Sequence, residues 1–181
     1  MELKEAINTR RSIRHYKNEE VSDSLIKEIF EHVKMSPSWA NTQCWEFIVV
    51  RDKNTIKMLS ETMPERNPAT KAVLQAPVLI VQLAKTGVAG FKKGEAVTDK
   101  GDWYMYDSGI AMQTLCLIAH DLGLGTVIIG YFNAKKAKEI LQVPDGVEVV
   151  AMTPLGYPES IPNPPKRKSI EDFVFYEKYE K

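Results

Sequence analysis

The sequence predicts a single α+β domain over residues 1–181, with about four strands packed between helices, and three observations carry that expectation. Short apolar, β-rich runs alternate with segments of helical period. One long segment, residues 103–122, is apolar on nearly every face and so belongs inside the protein or in an interface. Composition agrees: 181 residues, 44% hydrophobic, with ten glycines and ten prolines, suffice for one ordinary globular core.

The elements follow in chain order. Leu3, Ala6 and Ile7 stand at helical spacing over residues 2–8. From Ser22 to about Met35, Leu25, Ile26, Ile29, Phe30 and Val33 form one stripe of a helix, with Ser22 as N-cap and Asp23 in the first turn. "SPSWANTQC" reads as a loop and "WEFIVVR" (45–51) as a strand. Residues 53–62 are expected to be helical, and "APVLIVQLA" (76–84) is a second buried strand. The Gly/Lys-rich stretch from Thr86 to Gly101 reads as a mobile surface loop or lid. After the apolar helix, "GLG" (123–125) supplies the helix stop and "TVIIGYF" a strand. Asn133 should cap a short helix reaching Leu141, and "VEVVAMTPLGY" (147–157) is a further strand. The tail from Pro158 opens with prolines, which exclude a packed helix or central strand, and turns apolar again at Ile170, Phe173, Val174 and Phe175. Such an extended arm, with its aromatics buried, needs a surface, and a partner subunit is the expected one.

Charge narrows the function. Lysines plus arginines equal aspartates plus glutamates at 24 each, so no whole-protein field gathers nucleic acid or anionic membrane. No apolar run approaches the ~18 residues of a spanning helix, and "MELKEAINTRR" lacks a signal-peptide core, so a cytoplasmic protein is expected. Cys44 and Cys116 are far apart, without CxxC spacing, and read as buried free thiols. His15, His32 and His120 have no metal-ligand spacing, and the chain lacks GxSxG, GxGxxG and GxxxxGK[ST]. Trp103, Tyr104 and Tyr106 could form a stacking platform, although aromatics at a helix start more often belong to core or interface. Against this plain background "NTRRSIRHY" (8–16) stands out: three arginines around one serine, in a neutral chain, suit a compact anion.

Four segments in order, "RRSIRHY", "SPSWANTQCWEFIVV", "DSGIAMQTLCLIAHDLGLGTVIIGYF" and "PKRKSIEDFV", together resemble the FMN-dependent nitroreductase family over nearly the whole chain. The resemblance implies a nitroreductase-like α+β fold, with a mostly antiparallel sheet of four to five strands flanked by helices. It also implies a homodimer with extended C-terminal arms, FMN at the subunit interface, and NADH or NADPH as electron donor. A small-molecule acceptor is expected, with neither nucleic acid nor membrane as partner.

By the same resemblance Arg10, Ser12 and Arg14 would bind the flavin phosphate and ribityl end, with Arg11 nearby, and Arg167 and Lys168 would close on that phosphate from the arm. Ser36, Pro37, Ser38, Asn41 and Gln43 lie where family members place flavin contacts, some across the dimer; amides there can both donate to and accept from the ring's pyrimidine edge. Lys71 falls where some relatives hold a lysine near the flavin N1–C2 carbonyl, and Ile128, Ile129 and Gly130 match the segment against the flavin face. Cys44 stands where the family usually has proline, which places a thiol by the flavin loop. No side chain is assigned a catalytic role, because the flavin carries the chemistry. The expected reaction is ping-pong reduction of nitroaromatics, quinones or similar flat acceptors. Two alternatives stay open: a specialised flavin enzyme of the same fold, dehalogenating or flavin-fragmenting, and a non-catalytic flavin- or nucleotide-binding module.

Overall fold

Helix α1 (Leu3–Thr9) opens the computed structural model, which describes residues 1–180, and it is followed by α2 (Asp23–Val33). The Ser22 hydroxyl accepts from the Leu25 N–H, satisfying one of the amides that a helix start leaves unpaired, and Ile26, Ile29 and Val33 turn one buried stripe inward. Strand β1 (Trp45–Val50) leads through α3 (Lys53–Ser60) and α4 (Thr70–Gln75) to β2 (Val78–Lys85). The sheet is completed by β5 (Gly125–Thr126) and β6 (Val147–Gly156), in the antiparallel order β1-β2-β6-β5.

Strand β2 is central and buried from Val78 to Ala84, which explains why its sequence shows no alternation. One face of the sheet packs on α3, α4 and α6 (Ala134–Ile140) through Ile56, Leu59, Val73 and Ala137. The other packs on α2 and on α5 (Tyr104–Asp121) through Ile29, Met112, Leu115 and Cys116. Residue Gln82, on the α5 side, donates its side-chain amide to the Ser108 carbonyl at 2.8 Å, so the one amide side chain in β2 is satisfied by the helix. The outer face of α5 stays open, with Met105 and Tyr106 exposed.

Two expectations need correction. "TVIIGYF" does not run on as a strand: after Thr126 the chain leaves the ladder, Ile128 stands 50% exposed, and only Ile129 rejoins β6 through a bridge to Met152. The chain must reach Asn133, whose side chain caps α6 by accepting from the Lys136 N–H, and a straight strand would overshoot it. The stretch from Thr86 to Gly101 is not a loop throughout: it carries a short hairpin, β3 (Phe91–Lys92) and β4 (Glu95–Ala96). Its base is tied by Trp103 N–H to Ala89 C=O and by the Gly87 N–H to Asp102. The arm beyond Pro158 buries little on its own chain, since Ile161, Ile170 and Phe173 are all exposed.

Candidate functional site

The arginine segment runs extended beside the sheet and is held by isolated bridges at Ser12 and Tyr16. Ile13 donates its N–H to the Thr126 carbonyl at 2.9 Å, and on the other side Lys17 N–H reaches Tyr157 C=O while Glu159 N–H reaches His15 C=O. Ile13 and Tyr16 are buried, whereas Arg14 and His15 point out. The Tyr16 hydroxyl donates toward the Ile13 and Pro154 carbonyls, and burial raises its pKa far above the ordinary phenol value, so it serves as a fixed tether. Gly125 permits this close approach: a Cβ there would lie 2.6 Å from Ile13 Cγ1.

Along this ribbon a cleft of about 290 Å³ is lined by Arg10, Arg11, Ser12 and Arg14 on one side and by Pro162, Asn163, Pro165 and Arg167 of the arm on the other. No acid lines it. Arg11 donates to the Asn8 and Arg10 carbonyls and Arg14 makes one long bond to the Ser12 carbonyl, so among the described residues none of the four guanidinium groups has a carboxylate partner. The uncompensated charge is felt at His120 in the last turn of α5, whose pKa is held below the ordinary value by burial first and then by Arg10 and Arg11. A phosphate dianion, with about two charges and several acceptor oxygens, fits this donor set.

A second cleft of about 520 Å³ adjoins the first and shares Arg14 with it. Ile128, Ile129 and Gly130 form one wall, and Pro64, Arg66, Asn67 and Pro68 form another, with Tyr131 at the edge. Asn67 is held by its own loop, donating to the Tyr131 carbonyl and accepting from the Ala69 N–H.

The structure thus gathers Arg10, Arg11, Ser12, Arg14 and Arg167 at one cleft and Ile128, Ile129 and Gly130 at the next. Lys71 is exposed in the first turn of α4, beyond the residues that line either cleft, and Lys168 faces a hollow within the arm instead. The 36–44 loop lines neither cleft of its own chain. Within it Ser36 is buried and donates to the Thr114 hydroxyl, which makes it a tether to α5. Pro37, Asn41 and Gln43 are exposed, and Ser38 is half-buried. Ala40, Asn41 and Gln43 have φ of 44°, 55° and 48°, three non-glycine residues in the left-handed region, an arrangement that costs roughly 1–2 kcal/mol each and persists only where surroundings enforce it.

Two groups at this site carry weak signals in sequence. "ERNP" (65–68) is a turn in the structure, and it brings Arg66 and Asn67 to the cleft wall. Asp107 lies in the apolar helix and is buried, with its carboxylate on the Trp39 N–H. Cys44 lies beside it; burial, and then the Asp107 charge, push the thiol up to about 11. Cys116 is raised as well, chiefly by burial. Both should be protonated at neutral pH. Ellman's reagent is therefore expected to leave both thiols unmodified in the native protein and to titrate two after denaturation; a fast native reaction at neutral pH would contradict the packing described for Cys44. Among the described residues no group of three His, Cys, Asp or Glu side chains could hold a metal ion, and no helix is long and apolar enough to cross a membrane.

Comparison with known proteins places this geometry. The sequence profile of the Nitroreductase family matches residues 7–157. A protein of Methanothermobacter thermautotrophicus, provisionally named NADH dehydrogenase/NAD(P)H nitroreductase, is 34% identical over 166 residues, covering 90% of this chain and 80% of its own. A nitroreductase family protein from Clostridium novyi NT superposes with a TM-score of 0.78 at 34% identity, covering 88% of this chain and 86% of its own. An FMN-dependent nitroreductase from Clostridium difficile R20291 gives 0.77 at 27% identity, covering 98% of this chain and all of its own.

Proposed function

The chain belongs to the nitroreductase family, and from that premise we propose that it is an NAD(P)H-dependent FMN oxidoreductase acting on flat, electron-poor acceptors such as nitroaromatics or quinones. The observation that carries this reading is the pair of clefts joined at Arg14: one lined by four guanidinium groups and no acid, the next walled by Ile128, Ile129 and Gly130. A phosphate at the first and a flat ring against the second describe FMN.

Bound FMN would supply the chemistry, accepting a hydride from nicotinamide and passing electrons to the acceptor. The chain's own residues bind and orient. Arg10, Arg11, Arg14 and Arg167 neutralise the phosphate, with Ser12 offering a hydroxyl, and planar guanidinium groups suit bidentate contacts there. The exposed Ile128 edge offers an apolar surface that excludes water from one side of the ring. The Ser38, Asn41 and Gln43 side chains line neither cleft of their own chain, so we assign them to a ring held by a second copy. The exposed α5 face and the apolar arm supply the surface that such a homodimer would bury. Truncation at Pro158 is accordingly expected to yield a monomer in sedimentation; a truncated chain that stays dimeric would contradict this role for the arm.

The function is tested by anaerobic mixing. NADH or NADPH should bleach the flavin band near ~450 nm at a rate independent of the acceptor, and a nitroaromatic or quinone should restore it. A bound flavin that neither nicotinamide reduces would rule this activity out.

A further inference from the structure

We propose that Asp107 is a positioning residue for the 36–44 loop, its buried carboxylate fixing the backbone that presents Ser38, Asn41 and Gln43. This rests on the assignment of that loop to the flavin ring.

Asp107 is 1% exposed and has no cation partner among the described residues. What it has instead is the first turn of α5, where the helix dipole favours an anion, and the Trp39 N–H, which reaches both carboxylate oxygens at 3.2 and 3.0 Å. The Cys44 thiol adds a weak donor, its Sγ 3.7 Å from Oδ2. A buried carboxyl group thus sits, with no cation beside it among the described residues, at the point where it grips one amide of the loop, and burying so polar a group is costly unless its hydrogen bonds are made.

Trp39 begins the short 3-10 turn Trp39–Asn41, and the left-handed residues Ala40, Asn41 and Gln43 follow at once. Beyond the anchor the polar groups form one unit, since Gln43 N–H donates to Ser38 Oγ and the Gln43 side-chain amide donates to Asn41 Oδ1. Freed from Asp107, these non-glycine residues would relax toward negative φ and carry Ser38, Asn41 and Gln43 with them. The arginine cleft lies on other elements and would be unaffected.

Asp107→Asn keeps the size of the group and removes its charge. FMN affinity, measured by fluorescence quenching, should weaken about tenfold or more, while inorganic phosphate, titrated by phosphorus NMR, should bind within about twofold of wild type. Wild-type FMN affinity in the variant would overturn the inference, as would equal losses for FMN and phosphate, which would mark a general structural defect. A wild-type protein that binds no FMN would refute the flavin reading itself, and this inference would fall with it. If the variant does not fold, amide exchange of the wild-type apoprotein decides: the Trp39 N–H should exchange at least about a hundredfold slower than an open amide, and unprotected exchange would overturn the anchor.

Discussion

Arg14→Glu should weaken FMN binding by about 3 kcal/mol, roughly a hundredfold, the largest loss expected from any single cleft residue. Arg14 is singled out because it lines both clefts, so it stands where a phosphate-bearing chain would turn into its ring. Among the described residues its one side-chain bond is a 3.4 Å contact with the Ser12 carbonyl, which leaves most of the guanidinium donors available. The substitution removes a charge-assisted hydrogen bond and places a carboxylate against a dianion. Because the group is exposed, the effect should shrink as salt is raised. Apoprotein titrated with FMN at two ionic strengths reads this directly, and an unchanged dissociation constant would return the arginines to ordinary surface charge.

Gly125→Val should destabilise the fold by about 3 kcal/mol, at the upper end for an overpacked site, and lower the melting temperature by roughly 6–12 °C. The reason is local and geometric. A Cβ at 125 would sit 2.6, 2.8 and 2.9 Å from Ile13 Cγ1, Cβ and Cγ2, and Ile13 is itself buried. Relief requires the ribbon to lift from Thr126, whose carbonyl holds the Ile13 N–H. Ser12 and Arg14 flank Ile13, so FMN affinity should fall together with stability. Thermal unfolding without and with FMN separates the two effects. A variant with wild-type melting and affinity would show that the arginine segment does not depend on this packing.

Local chemistry made much of the fold legible in the sequence. Ser22 and Asn133 cap the helices expected of them, and β1, β2 and β6 lie within two residues of the apolar runs that predict them. The α5 helix shows how uniform apolarity signals burial on several sides, although its outer face is exposed in the single chain. Misreadings arose where distant contacts decide. The break after Thr126 is set by the join to α6 and by one bridge to Met152, neither of which leaves a mark in "TVIIGYF". The 86–101 stretch reads as a loop from its glycines and lysines, and nothing in it marks the short hairpin or the base that Ala89, Asp102 and Trp103 close. At the candidate site the arginine cluster was visible because three arginines stand around one serine in a neutral chain, whereas the place of Arg167 rested on the family resemblance. Asp107 was not visible, since a lone carboxylate in an apolar helix carries no sign of the loop amide it will meet.

The most direct test of the account is the visible spectrum of the purified protein, with the released cofactor identified by mass. Oxidised flavin bands are expected near ~375 and ~450 nm, with a cofactor that is FMN and not FAD, held at about one per chain. A colourless protein whose spectrum is unchanged by added FMN would contradict it.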